Sequence, residues 1–155
     1  MRKGILLAGL LGLAVATVLL SKSPTEEERI EQALAQVRDG IEQENLPQVM
    51  SVFSKEYADA EGSSYDSIKG ILLRQFLKTE PIAIQMSPLR FSMKAETAQV
   101  AFEAAILEGQ NASLFAIPSE EDVLHFTVDL RKEEDDWRIV SHQRQLNVTV
   151  RQQED

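Results

Sequence analysis

Residues 126–145, FTVDLRKEEDDWRIVSHQRQ, decide the fold. Leu124, Phe126, Val128 and Leu130 alternate with His125, Thr127, Asp129 and Arg131, and a period of two puts each set on its own face of a half-buried strand. The acidic quartet Glu133 to Asp136 breaks the alternation, and a second strand begins at Trp137 and runs to about Val150. The pair reads as an antiparallel hairpin whose loop sets the register. With Glu133 to Asp136 as the loop, Lys132 pairs with Trp137, Leu130 with Ile139, Thr127 with His142 and His125 with Arg144. Facing pairs share a side, so Trp137, Ile139, Ser141 and Gln143 are expected on the apolar face. His125, Thr127 and Asp129 are expected with Val140, His142 and Arg144 on the other. A slip of one residue reverses this allocation.

Upstream, Ala98 to Leu107 alternates in the same way, with Val100, Phe102, Ala104 and Ile106 opposite Gln99 and Glu103. A turn at Lys94 to Thr97 precedes it, and Gly109 to Ser119 follows as a longer connection. Ile82 to Met93 reads as a strand interrupted at Ser87-Pro88, where the missing amide suggests a bulge or an edge. Before Pro81 the period is helical. Ser23-Pro24-Thr25-Glu26 is a helix start, with Ser23 as cap, Pro24 in the first helical position and Glu26 completing a capping box. Ile30, Ala33, Leu34, Val37 and Ile41 recur at helical spacing and carry that helix to about Glu44. Gly40 inside it costs about 1 kcal/mol relative to Ala, so it marks a bend or close packing. Asn45-Leu46-Pro47 breaks the helix and restarts a short one through Phe53, and Ser54 to Ser63 is a polar loop. A third helix, about Ser64 to Lys78, presents Ile68, Ile71, Leu72, Gln75 and Phe76 on one side. Helices first and an antiparallel meander second make an α+β fold: three N-terminal helices packed on a sheet of about four strands.

The leading residues address the chain rather than fold it. Arg2 and Lys3 precede an almost wholly apolar run from Gly4 to Leu20, and charge returns only at Lys22. Seventeen helical residues span about 25 Å, short for a bilayer core but within the usable range. Three readings compete. A cleaved signal peptide would use Ala14-Val15-Ala16 but leave Thr17-Val18-Leu19-Leu20 as a greasy new terminus. A buried soluble helix would carry a polar stripe, which this run lacks. A retained single transmembrane helix uses the whole run, and it is the reading preferred. Arg2, Lys3 and the terminal amine keep the N-terminus in the cytoplasm and send the following domain across. The expected organisation is an anchor or signal segment over 1–22, an α+β domain over 23–150 and a polar tail over 151–155. The expected location is a bacterial-type inner membrane, entered through residues 4–20, with the domain in the periplasm; secretion after signal cleavage is the alternative.

Composition narrows the partners. The net charge is -9, and without Arg2 and Lys3 the balance is 14 basic to 25 acidic residues, a net -11. Such a surface is repelled by phosphate backbones, so no nucleic acid is expected as a partner. The absence of cysteine removes disulfides, thiolate metal sites and cysteine nucleophiles. About 130 residues after the apolar run suffice for one core and not for two.

Three stretches carry a family resemblance: EQALAQVRDGIEQENLPQVMSVFSKEYAD, SYDSIKGILLRQFLKTEPIAIQMSPLRFSM and the closing hairpin with its charged turn before Trp137-Arg138-Ile139. Together they resemble the nuclear-transport-factor-2-like (NTF2-like, SnoaL-like) superfamily over about Thr25 to Gln145. The resemblance implies a cone-shaped α+β domain with a pocket between helices and sheet. That family hosts isomerases, dehydratases, cargo binders and assembly modules, so architecture does not name a chemistry. Its isomerase branch uses a pocket Asp base with a Tyr and a protonated acid, a trio that is not legible here. In such a cone the end of the last strand lines the pocket mouth, so Ser141, Gln143 and Gln145, with Tyr57 from the loop after the short helix, are the candidate ligand-binding residues. Tyr57, Asp59, Glu61 and Tyr65 form an acid-and-phenol cluster suited to proton transfer if buried. His125 and His142, with Asp129 and Glu103, would share a face, but Arg131 and Arg144 oppose a cation there; neither a metal site nor a cofactor is assigned. The expected function is a non-catalytic binding or assembly module in the cell envelope, engaging a protein partner or a small ligand. A small-molecule isomerase or hydrolase is the alternative, and the open sheet face is the surface for a homodimer. A reporter fused after Asp155 is expected to be active only outside the cytosol; activity confined to the cytosol would refute the orientation.

Overall fold

The structure, a computed structural model, describes residues 23–78, 80–109 and 123–146. Helix α1 spans Glu26–Glu42, α2 Leu46–Met50 and α3 Tyr65–Phe76, and five strands follow: β1 Ile82–Met86, β2 Arg90–Lys94, β3 Thr97–Glu108, β4 Val123–Glu133 and β5 Asp136–Leu146. The apolar run over residues 4–20 lies outside the described residues, as do most of the connection after β3 and residues 147–155. Among the described residues no helix is long and apolar enough to cross a membrane.

Helix α1 starts one cap later than the sequence suggests. Thr25, not Ser23, closes the capping box: its hydroxyl accepts from the Glu28 amide at 3.2 Å while the Glu28 carboxylate accepts from the Thr25 amide at 2.7 Å. Ser23 with Glu26 and Thr25 with Glu28 both have the spacing a box requires. The choice of Thr25 frees the Glu26 carboxylate, which accepts from Trp137 Nε1 at 2.6 Å and Lys132 Nζ at 3.1 Å. The hydrogen bond from Lys132, then that from Trp137, hold the Glu26 carboxyl below its ordinary range. The first turn of α1 is thereby fastened to the closing hairpin.

Ile30 and Leu34 are buried on the inner stripe of α1, with Ala33, Val37 and Ile41 packed against the same core. Each such aliphatic side chain contributes about 1.5–3 kcal/mol when fully buried. Asn45 caps α2 by accepting from the Gln48 amide at 3.2 Å. Gly40 is where α1 and α2 touch: a Cβ placed there would lie 2.7 Å from Val49 Cγ2 and 3.2 Å from the Val49 amide nitrogen. Close packing, not a bend, is what this glycine serves.

Among the described residues the sheet has five strands rather than about four, because the Ser87-Pro88 interruption divides one expected strand into two. β1 and β2 lie end to end along one edge of β3, antiparallel to it, with Met86 opposite Ala104 and Arg90 opposite Ala101. Ser87 bridges the gap: its amide donates to the Glu103 carbonyl and its hydroxyl accepts from the Glu103 amide, each at 2.9 Å. The other edge of β3 pairs with β4, and β4 with β5, giving the order β1-β3-β4-β5. Val100, Phe102, Val128, Leu130, Trp137 and Ile139 face the helices in one core.

The hairpin keeps the expected register only near its turn. Lys132 pairs with Trp137 and Leu130 with Ile139, but the turn is Glu134-Asp135, with Glu133 opposite Asp136. Beyond Leu130 the register shifts: Asp129 pairs with Ser141, Val128 with His142, Thr127 with Gln143 and His125 with Gln145. Val140 is the extra residue, and a bulge of this kind turns every later side chain to the opposite face. The expected allocation therefore holds for Trp137 and Ile139 and is reversed for everything from Ser141 onward.

Replacing Gly40 with Ala sets the helix-propensity gain against overpacking on a β-branched neighbour that is 1% exposed. Overpacking dominates, and Gly40→Ala is expected to lower the unfolding free energy by about 1–2 kcal/mol. A urea midpoint equal to or above that of the parent would refute the packing role.

Candidate functional site

Between the helices and the inner face of the sheet lies a cavity of about 230 Å³. Leu34, Val37 and Ile41 of α1, Ile68 and Leu72 of α3, and Ile84, Phe102, Ala104, Phe126 and Val128 of the sheet make its walls. Phe102 and Phe126 stack at 5.4 Å between centroids and leave the space open, while Leu130 and Trp137 are not among its lining residues. Among the described residues, the only side chains with nitrogen or oxygen on this cavity are Arg38 and His142. Arg38 is half-exposed and donates through Nε and Nη2 to Asp39 Oδ1, at 2.8 and 2.7 Å.

His142 reaches the cavity because of the bulge, which also organises its partners. The segment after α2 runs beside β5: the Ile139 amide donates to the Val52 carbonyl, the Ser54 amide to the Ile139 carbonyl and the Ala58 amide to the Val140 carbonyl, at 2.9, 2.9 and 3.0 Å. Tyr57, 2% exposed, is held by these bonds against β5 with its hydroxyl 2.5 Å from His142 Nδ1 and 3.0 Å from Asp59 Oδ2. Asp59 is fixed by a tight loop in which Gly62, at φ +84°, lets the chain return so that the Ser63 amide donates to Asp59 Oδ1 at 2.7 Å.

One proton arrangement satisfies all three groups. Burial alone would push the Asp59 carboxyl up, but hydrogen bonds from Ser63 and then Tyr57, with the charge His142 carries when protonated at low pH, outweigh it and hold Asp59 below its ordinary value. An ionised carboxylate cannot donate, so the Tyr57 O–H must donate to Asp59. The opposite choice would leave two oxygens facing each other at 3.0 Å with no proton between them. The short contact to His142 must then come from Nδ1–H donating to the phenol oxygen. Burial, followed by the Asp59 hydrogen bond and charge, raises the Tyr57 phenol well above its ordinary value and keeps it protonated. Burial likewise lowers His142 below its ordinary value, against the opposing charge of Asp59 and with Arg144 adding to the lowering. At neutral pH the ring is a neutral imidazole with its proton on Nδ1.

Of the four candidate residues read from the sequence, the structure brings one to this site. Tyr57 touches it through His142. Ser141, Gln143 and Gln145 pair with Asp129, Thr127 and His125 and share their face of the sheet, away from the cavity, because the bulge turns them outward. The Ser141 hydroxyl donates to Asp129 Oδ2 at 2.8 Å, and Gln143 and Gln145 are exposed. The same turn separates His125 from His142; His125 lies 3.4 Å from Glu103 on the outer face, and no metal-binding cluster is present among the described residues. Tyr65 borders a separate, wetter groove with Lys55, whose ammonium sits 3.8 Å from its ring centre, and Glu61 is exposed. His142 was missed as a pocket residue because no turn or glycine signal marks the bulge; the polar residue within a run otherwise facing the core was the available hint.

No family model and no curated protein matches the sequence. Solved structures do resemble it. An NTF2-like family protein of Streptomyces avermitilis, named a candidate dehydratase, superposes with a TM-score of 0.64 at 16% identity, over 77% of this chain and 94% of its own. An NTF2-like protein with a cystatin-like fold from Novosphingobium aromaticivorans gives 0.62 at 14% identity, over 90% and 91%. Bd1075 of Bdellovibrio bacteriovorus gives 0.63 at 10% identity, over 76% of this chain but only 40% of its own, so the chain spans less than half of that protein. The domain has the NTF2-like (cystatin-like) fold, with five antiparallel strands and three helices among the described residues.

The buried imidazole gives the stability a predictable pH dependence. The folded-state value of His142 lies below the unfolded value of about 6.5, so the unfolded chain takes the proton first as pH falls. Stability contributed by the neutral ring is expected in full above that unfolded value, to decline as pH falls past it, and to level off below the folded value. Chemical denaturation of the parent and of His142→Gln between pH 5 and 8 reads this as a segment of the profile that the substitution flattens. Tyr57→Phe, which strips Asp59 and His142 of their shared partner, is expected to cost about 1–2 kcal/mol at neutral pH.

Proposed function

We propose that this chain is a membrane-tethered, extracytoplasmic module that binds a small, largely apolar molecule in the cavity of its NTF2-like domain. One observation carries the binding: the space between helices and sheet is open and apolar-walled, with a single imidazole contributed by the sheet. Apolar walls of this kind supply affinity by excluding water, while a few polar groups supply orientation. At about 230 Å³ the cavity suits a molecule with one ring or a short chain. The tether rests on the uncharged run over residues 4–20 and the basic residues before it. The acidic surface leaves room for an envelope protein as a second partner and argues against nucleic acid.

The hydrogen-bonded chain from Asp59 through Tyr57 to His142 favours a second reading, an isomerase or hydrolase acting on a molecule held in the same cavity. A neutral imidazole held through Nδ1–H can take a proton at its other nitrogen, which is what a general base requires. Solved neighbours bear the names of a candidate dehydratase and of a candidate aromatic ring hydroxylase. Those names belong to the neighbours, whose identities to this chain are 16% and 11%.

Methyl-detected NMR of the full chain in nanodiscs tests the binding. Ethylbenzene is expected to shift the methyls of Leu34, Ile68, Leu72 and Ile84, and Ala104→Phe, which fills the cavity, is expected to weaken the effect at least tenfold. Shifts unchanged by Ala104→Phe, or absent from the parent, would refute the cavity. Solvent deuterium entering a bound small ketone, and lost in His142→Gln, is the outcome that would favour the enzyme.

A further inference from the structure

We infer that the cavity selects a small apolar molecule carrying one hydroxyl group, a phenol or an alcohol, which donates its proton to His142 Nε2. This rests on the cavity reading above and names the chemistry of its occupant.

The direction of the hydrogen-bond chain fixes the polarity. Asp59 accepts, Tyr57 donates to Asp59 and accepts from His142, and His142 spends its one neutral-state proton on Nδ1. Nε2 is left with a lone pair. It has no hydrogen-bond partner among the described residues, and among them no buried side-chain nitrogen or oxygen lacks one, so Nε2 is not sealed inside protein. The ring lines the cavity, packed between Tyr57 and Phe126 at 6.0 and 6.4 Å between centroids, which fixes its plane. The sheet side of the cavity therefore presents one acceptor and no donor.

An isolated acceptor in an apolar space discriminates by what it leaves unpaired. A hydroxyl satisfies both itself and Nε2. A ketone or ether oxygen is itself an acceptor and would sit lone pair against lone pair. Switching the imidazole to the other tautomer, to suit such a ligand, would leave the single Tyr57 proton facing two acceptors, so that either the contact with His142 Nδ1 at 2.5 Å or that with Asp59 at 3.0 Å goes unpaired. The relay thus makes the choice of ligand costly to reverse. A carboxylate would be repelled at Nε2 and could be held only at Arg38, whose Nε and Nη2 already serve Asp39.

The test compares ligands of one shape, 4-ethylphenol, its methyl ether and 4-ethylbenzoate, titrated into the full chain in nanodiscs with empty nanodiscs as reference. The phenol is expected to bind about tenfold more tightly than the ether, as one added hydrogen bond requires. In His142→Leu, which keeps the wall apolar, the ratio is expected to approach one while ether binding persists. In Tyr57→Phe, which releases the tautomer, the preference is expected to shrink. Equal binding of phenol and ether by the parent, or tighter binding of the benzoate, would overturn this inference and leave the cavity intact. Binding of none of the three would remove the cavity reading itself. Should the variants fail to fold, the ¹⁵N spectrum of the parent still decides, because a protonated Nε2 and a bare Nδ1 would overturn the chain's direction.

Discussion

Val140 is the residue for which β4 has no partner, and the chemistry of the domain follows from how that mismatch is absorbed. On one side of it Ile139 lies opposite Leu130 and stays in the core; on the other His142 lies opposite Val128 and enters the core face. Without the extra residue, strict alternation would send His142 to solvent and aim Ser141 and Gln143 at the helices. The bulge persists because its carbonyl accepts from the Ala58 amide, in a run of backbone hydrogen bonds that lays the segment after α2 along β5. That segment delivers Tyr57. One irregularity thus places the imidazole and also its partner.

A neutral ring in an apolar wall needs its polar atoms satisfied, since an unpaired buried group costs about 1–3 kcal/mol. Tyr57 satisfies Nδ1, and Asp59 satisfies Tyr57 from a loop where its own charge is stabilised by the Ser63 amide. The demand for a partner is passed outward from the cavity until it reaches a half-exposed carboxylate. What remains without a protein partner is Nε2 of a ring that lines the space. A buried charge in the same place would need a counter-ion inside the cavity; an imidazole backed by a phenol does not, which is compatible with walls that are otherwise hydrocarbon.

The far end of the domain is built for rigidity instead. Glu26 ties Lys132 and Trp137 to the start of α1, Ser54 donates to Glu133 at 2.7 Å, and Arg131 bridges Glu133 and Glu56. Two of the four carboxylates in this acidic stretch are thus engaged, Glu133 as above and Asp136 with Arg138. These bonds hold the hairpin while the opposite end of the sheet opens around the cavity.

Local patterns were enough to write down the helices, the two long alternating strands, the hairpin and the α+β arrangement, because helix stripes and strand alternation are imposed residue by residue by burial. Ser87-Pro88 announced a break in the first strand for an equally local reason, the missing amide. The register beyond Leu130 was not legible, since whether Val140 is accommodated in the ladder or pushed out of it depends on Ala58, more than eighty positions away in sequence. The cluster of Tyr57 and Asp59 could be seen in sequence, but its third member could not. Sequence alone determined which residues prefer water and which avoid it. Only tertiary structure decided that a histidine in the last strand would face inward, because a one-residue offset between strands is settled by hydrogen bonds from a distant segment and not by the residues that move.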